Sequence, residues 1–119
     1  MEFHEHGVYK AVGELTDLIY GLEDRFPEDE LTVLFQRLRA AAVDVGAAIA
    51  AGVGRDGLDD HGALSPQTMR DTRAKLSELR HYVLVSQARF FLDEHHVEAF
   101  QQHYERIARG LTPGESGSP

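Results

Sequence analysis

Apolar residues recur at spacings of three and four along four stretches of the chain, and no stretch alternates apolar and polar residues as a half-buried strand does. The clearest stretch opens at Phe26-Pro27 and reaches Gly52 and Gly54. Proline and acids in a first turn favour a helix start, because the amides there are free and the dipole end is positive. The apolar arc comprises Leu31, Leu34, Phe35, Leu38, Ala42, Val45 and Ile49. This pattern predicts a long second helix that packs against a core and that the two glycines end.

From about Ala40 onward, the opposite side of this second helix is also apolar and is built from small residues. Its positions are Val33, Gln36, Ala40, Val43, Ala47 and Ala50. A helix with two apolar sides should be covered on both. The protein's own bundle would cover one side, and a second copy of the chain would cover the other. We therefore predict an oligomer interface at Ala40, Val43, Ala47 and Ala50.

Three further stretches have the same periodicity and predict helices at residues 5–24, 65–90 and 93–111. The short link between the first two helices makes them antiparallel neighbours. A glycine-rich segment, residues 52–64, is expected to form a mobile crossing. We predict an all-α fold, an antiparallel up-down four-helix bundle over residues 1–111. The Gly, Ser and Pro residues of 112–119 predict a disordered tail.

The chain resembles the small bacterial four-helix-bundle proteins first noted as reading frames inside intervening sequences of large-subunit ribosomal RNA genes. The resemblance covers residues 8–111, with departures from the family pattern at Asp44, Ala48 and Ala51. The residues that carry it are Ile19-Tyr20, Phe26-Pro27, Glu30, Leu34, Arg39, Ala41-Ala42-Val43, Ile49-Ala50, Gly52, Gly54-Arg55, Thr72-Arg73-Ala74-Lys75 and Glu78-Leu79. Related accessory proteins of diversity-generating retroelements are pentameric barrels that bind nucleic acid and a reverse transcriptase. The resemblance therefore implies a homo-oligomeric ring of five.

Composition limits the function classes. The 119 residues suit one domain, and the absence of Cys and of a signal-peptide pattern favours a cytoplasmic setting. No apolar run is long enough to cross a membrane. The net charge of −8 disfavours a protein that coats nucleic acid, because phosphate binding needs clustered Lys and Arg. Only residues 66–92 are basic, with five Lys or Arg against two acids.

Motifs for catalysis, cofactors and metals fail on their context. The run from Gly52 to Gly57 matches GxGxxG but follows a helix rather than a strand. Glu78 and His81 have the spacing of a di-iron ligand pair, yet no second such pair occurs. His96 and His103 lie two turns apart, too far for one ion without other ligands. We expect no enzyme activity, no cofactor and no metal.

Two groups of charged residues remain. Arg39 and Glu78 both lie on positions of the family pattern, and we predict a structural ion pair between them that links the second and third helices. Arg70, Arg73 and Arg80 form a basic strip on the third helix, and Arg55 lies on the glycine-rich segment. These four arginines are candidate contacts to nucleic acid or to another partner.

Two functions therefore stay open. The first is a non-enzymatic homo-oligomeric scaffold or adaptor, whose partners are other copies of itself and another protein. The alternative is a nucleic-acid-binding accessory factor, for example to a reverse transcriptase, which would use the four arginines.

Overall fold

A computed structural model describes residues 6–111, and within this range the chain forms four α-helices and no strand. Two single turns of 3-10 helix, Glu23–Arg25 and Glu28–Glu30, connect the first two helices. The helices are α1 (Gly7–Tyr20), α2 (Leu34–Asp56), α3 (Pro66–Ala88) and α4 (Glu94–Gly110). The all-α four-helix fold is confirmed. The predicted tail, residues 112–119, and Glu5, the predicted start of the first helix, lie outside the described residues.

Each helix packs against two others in the order α1, α2, α3, α4 and back to α1. The α2 and α3 helices make the most extensive contact. The largest fully buried side chains are Leu15, Ile19, Phe35, Leu38, Val45, Ile49, Leu76, Leu79, Val83, Phe100, Ile107 and Leu111. Apolar periodicity thus identified the core-facing side of the helices, with one error: it places Phe90 on the core side of the third helix, whereas Phe90 is exposed.

The α2 helix differs from its predicted bounds at both ends. The helix was predicted to start at Phe26-Pro27, but Pro27 precedes only the 3-10 turn Glu28–Glu30, and the α-helix starts at Leu34. Gly52 and Gly54 were predicted to end the helix, but it continues to Asp56 and ends at Gly57, whose φ of 70° suits glycine. A helical glycine costs only about 1 kcal/mol relative to alanine, so favourable packing can outweigh it.

The segment between α2 and α3 is therefore shorter than the predicted crossing and is held by local hydrogen bonds. Oδ1 of Asp59 accepts from the amides of His61 and Ala63, at 2.8 Å each. The amide of Asp59 donates to the carbonyl oxygen of Ala63 at 3.0 Å. Leu64 is buried in the core. These contacts brace residues 57–65 against the end of the bundle.

Gly52 of α2 packs directly against Thr68 of α3. A Cβ atom built at Gly52 would lie 2.1 Å from Oγ1 and 2.4 Å from Cγ2 of Thr68. Thr68 is buried at the start of α3, where Ser65 caps the helix by accepting from the Thr68 amide at 3.1 Å. Because only a hydrogen fits at Gly52, this contact sets which residues of the two helices lie side by side.

The end of α3 carries a backbone conformation that is unusual for its residue type. Phe90 has φ of 66°, and its side chain is 93% exposed. The Phe90 amide donates to the carbonyl oxygen of Gln87, and the Phe91 amide donates to that of Ser86, at 2.9 and 3.0 Å. This is the Schellman arrangement, in which glycine is the usual residue at the position of Phe90.

Substitution of Gly52 by alanine should destabilise the bundle by about 1–3 kcal/mol, because the added methyl group has no room beside Thr68. The matched control is Gly54→Ala in the same helix, where a Cβ meets no atom within 4 Å. That change should raise stability by up to about 1 kcal/mol, since alanine favours the helix. Urea unfolding of both variants measures the difference, and equal effects would contradict the packing described here.

Replacement of Phe90 by glycine should stabilise the protein by about 1 kcal/mol, because a side chain with a Cβ is strained in the left-handed region. Phe90→Ala serves as the control, since it removes the exposed ring but keeps the Cβ, and it should change stability little. Thermal unfolding of the two variants tests this expectation. A glycine variant less stable than the alanine variant would show that the backbone at this position is not strained.

Candidate interaction surfaces

The outward face of α2, defined here by Ala40, Val43, Ala47 and Ala50, is exposed along its whole length in the single chain. Val43 is 47% exposed, and Val33, the residue immediately before the first residue of α2, is 53% exposed. Gln36 continues the same face towards Val33, so no Lys, Arg, Asp or Glu occupies it. The opposite side of α2 carries the buried core residues. The α2 helix is therefore apolar on two sides, of which its own bundle covers one.

A groove of about 440 Å³ runs beside this face, between α1 and α2. Val43, Ala47 and Ala50 form its α2 wall, and Gly13 and Asp17 contribute to its α1 wall. A Cβ atom at Gly13 would meet no atom within 4 Å, so the α1 wall is open at this point. Apart from Tyr9, the residues that line the groove have small or medium-sized side chains.

The basic strip, Arg70, Arg73 and Arg80, lies exposed along α3, and Arg73 and Arg80 lie on the side of α4. Nη2 of Arg73 donates to the carbonyl oxygen of Leu111 at 2.6 Å, and the guanidinium of Arg80 stands 5.4 Å from the ring centre of Tyr104. Arg70 donates to the side-chain oxygen of Gln67 at 2.8 Å.

None of these contacts neutralises a charge. Within residues 6–111, no carboxylate oxygen lies within 4.0 Å of a guanidinium nitrogen of the basic strip.

Arg55 does not join the basic strip. Its guanidinium donates to both carboxylate oxygens of Asp56, at 2.9 and 2.8 Å, and lies 3.8 Å from the carboxylate of Asp71. The hydroxyl of Ser65 also donates to Asp56, at 2.6 Å. Hydrogen bonds from Arg55 and then from Ser65 hold the pKa of the Asp56 carboxyl well below its ordinary value. Arg55 therefore joins the end of α2 to the start of α3, and neighbouring acids compensate its charge.

The predicted ion pair between Arg39 and Glu78 does not form in the described chain. The guanidinium of Arg39 stands 5.9 Å from the ring centres of both Tyr20 and Phe35. Glu78 is paired instead with Lys75, one turn earlier in α3, at 3.8 Å.

The reason is the direction in which Arg39 points. Gly46 lies two turns after Arg39 on the same side of α2, and a Cβ built there would meet Val12 of α1 at 3.6 Å. Arg39 is thus on the α1 side of α2, whereas Glu78 belongs to α3 on the other side.

A cleft of about 580 Å³ opens where α1 begins and α4 ends. Its charged and titratable lining consists of His6, Lys10, Glu14, His61 and Arg106, and Arg106 forms an ion pair with Glu14. Sequence analysis missed this grouping, because its members come from three distant segments and no spacing connects them. Cations and an anion alternate in the lining, so the cleft does not favour one class of ligand.

The histidines considered as metal ligands have different neighbours. His96 belongs to the first turn of α4, where Asp93 accepts from its amide at 3.0 Å and the Asp93 amide donates to Nδ1 of His96 at 3.2 Å. Nδ1 of His103 is 3.4 Å from Nη2 of Arg106. Among residues 6–111, no three His, Asp or Glu side chains are grouped so that they could hold a metal ion. In the same range, no helix has both the length and the apolar character to cross a membrane.

Replacing Asp56 by asparagine should lower the urea midpoint of unfolding at pH 7, because the carboxylate that accepts from Arg55 and Ser65 is lost. Folding lowers the pKa of this carboxyl, so its charged form stabilises the protein above the unfolded pKa of about 3.9. The contribution declines as the pH falls below that value towards the lowered folded pKa.

The difference between the native protein and Asp56→Asn should therefore be complete at pH 7 and shrink between about pH 5 and pH 2. The control is Asp60→Asn, which changes an exposed carboxylate in the neighbouring loop and should alter stability little. A difference that grew on acidification would contradict the assigned role of Asp56.

The family model described as 23S rRNA-intervening sequence protein matches residues 4–113, a range that includes all four helices. A search of curated proteins finds no match. The family match confirms the resemblance found in the sequence motifs, most of which lie on α2 and α3. The chain belongs to the 23S rRNA-intervening sequence protein family.

Proposed function

We propose that the protein is a homo-oligomeric scaffold or adaptor, without catalytic activity of its own, that assembles through the outward face of α2 into a ring of five. The observation that carries this proposal is the exposed and uncharged character of Ala40, Val43, Ala47 and Ala50. Water-facing sides of helices in bundles normally carry charged and polar residues. A second copy would remove this apolar side from water and so gain hydrophobic stabilisation.

The extent of the face supports a contact between whole helices. From Val33 to Ala50 it extends over about 25 Å at the 1.5 Å rise of each helical residue. The long axis of the molecule measures 47 Å, so the face follows more than half of it. Alanine side chains also allow two helices to pack at a short distance, because the interaxial distance depends on the side chains in contact. An adaptor would present its other surfaces, repeated in each copy, to another protein.

A second candidate function is that of a nucleic-acid-binding accessory factor, and the basic strip on α3 favours it. Arg70, Arg73 and Arg80 have no carboxylate partner among residues 6–111, so their charges are available to phosphate groups. Arg55 does not support this function, since Asp56 and Asp71 compensate its charge. The net charge of −8 also opposes the approach of a polyanion. We therefore place the scaffold function first.

A single glutamate in the outward face of α2 should disrupt assembly. We expect the native protein to have five times the 13.3 kDa mass of one chain in light scattering after size exclusion, and Ala47→Glu to have the mass of one chain. Burial of an unpaired carboxylate in an apolar contact is strongly unfavourable, and this is the reason for the loss.

The control variant is Gln102→Glu, which adds the same charge at an exposed position of α4. It should keep the native mass. A native protein with the mass of one chain at all concentrations would refute the proposed assembly, and circular dichroism verifies that each variant is folded.

A further inference from the structure

We infer that the surface that covers the outward face of α2 is a second exposed face, on α3 of the next copy, so that the contact is head-to-tail. This inference rests on the proposed homo-oligomer and identifies its second surface. The α3 face comprises Ala74, Ser77, His81, Leu84 and Ala88, all of which are exposed. Successive members of this face are three, four, three and four residues apart, which is the seam pattern with which helices pack side by side.

The shapes of the two faces complement each other. The α2 and α3 helices run antiparallel, and Gly52 lies beside Thr68. Val43 is nine residues before Gly52 and Ser77 is nine residues after Thr68, so these two residues lie at the same height along the bundle. In a ring whose axis follows the helices, levels are kept from copy to copy. The half-exposed side chain of Val43 would then face the small Ser77 of the next copy.

A large side chain on α3 likewise meets a hollow on α2. Leu84 is 43% exposed and lies one heptad beyond Ser77, at the level of Gln36. At that level lies a hollow of about 360 Å³, whose lining consists of Thr32, Val33, Gln36, Arg37 and Ala40. The hollow has room for the leucine side chain, which would enter it as a knob enters a hole.

Charge complementarity selects α3 as the cover rather than a second α2. Asp17 and Asp44 border the middle of the α2 face, and neither has an ion pair within the described chain. Arg73 and Arg80 border the α3 face, one turn on either side of Ser77. A two-fold contact between α2 faces would bring acidic borders together, whereas an α3 cover brings arginines to acids. Arg37, the cation beside the α2 face, could meet Asp44 of a second α2, but such a two-fold contact joins only two copies and does not by itself build a ring.

The positions of the α2 and α3 faces in the bundle agree with an assembly that closes into a ring. The α2 and α3 helices occupy adjacent corners of the four-helix arrangement, so their outward faces point in different but not opposite directions. A head-to-tail contact between different surfaces forms a ring if the rotation closes and a filament if it does not. Faces on adjacent corners turn each copy relative to the last, which favours closure over a straight filament.

The test uses one blocked surface at a time. Ser77→Glu places a charge in the α3 face, and Ala47→Glu places one in the α2 face. We expect each variant alone to have the mass of one chain. An equimolar mixture should contain a species of two chains, because the intact α3 face of Ala47→Glu can bind the intact α2 face of Ser77→Glu. Unfolding curves confirm that both variants are folded.

The outcomes separate this inference from the proposed function. If Ser77→Glu keeps the native mass while Ala47→Glu is a single chain, the oligomer stands and the α3 face is not its second surface. If both variants keep the native mass, the inference and the α2 interface fail together. If both variants are single chains but form no two-chain species when they are mixed, the head-to-tail contact is also overturned.

A last measurement addresses a nucleic-acid partner for the same arginines. Fluorescence anisotropy with labelled single-stranded RNA and DNA at low salt compares the native protein with Arg73→Glu/Arg80→Glu. We expect no binding by either protein and loss of assembly by the double variant. Salt-sensitive binding by the native protein that the double variant loses, at unchanged mass, would assign the arginines to nucleic acid and overturn their role between copies.

Discussion

The contact between Gly52 and Thr68 determines how α2 and α3 are placed relative to each other. With no side chain at Gly52, α2 can approach the start of α3 more closely than any other residue would permit. The buried leucines of α3 and the apolar arc of α2 then meet at matched levels. The same contact also fixes the relative height of the two outward faces, so an internal packing detail decides how the exterior of the molecule is arranged.

The arginines of the protein differ in whether a neighbouring acid pairs with them, and the net charge does not show this difference. Arg55 and Arg106 are held by neighbouring acids, and the contacts of Arg55 with Asp71 and of Arg106 with Glu14 join α2 to α3 and α4 to α1. The basic strip, by contrast, contacts an amide, a carbonyl and a ring, none of which reduces its charge. A net charge of −8 conceals this difference, because it counts paired and unpaired groups alike.

Helix periodicity predicted the fold and the core well, because burial imposes one apolar side on each helix. It did not predict that α2 continues through Gly52 and Gly54, since the sequence does not show that Thr68 packs against the first glycine. It also did not separate the two flanks of α2. Arg39 borders the core, but only the packed structure shows that it faces α1 rather than Glu78. The α3 face escaped notice because its small residues lie among arginines and carry no strong apolar signal.

The α4 helix buries fewer residues than the other three helices. Within its span α4 buries only Phe100 and Ile107, whereas α2 buries eight residues. Its remaining attachments include the Arg106 pair with Glu14 and the bond from Arg73 to Leu111, both near the surface. Local opening of a bundle begins where the least apolar area is buried. The molecule should therefore open locally at α4 while α1 to α3 stay packed, and added salt, which screens the exposed pair of Arg106 and Glu14, would speed that motion first.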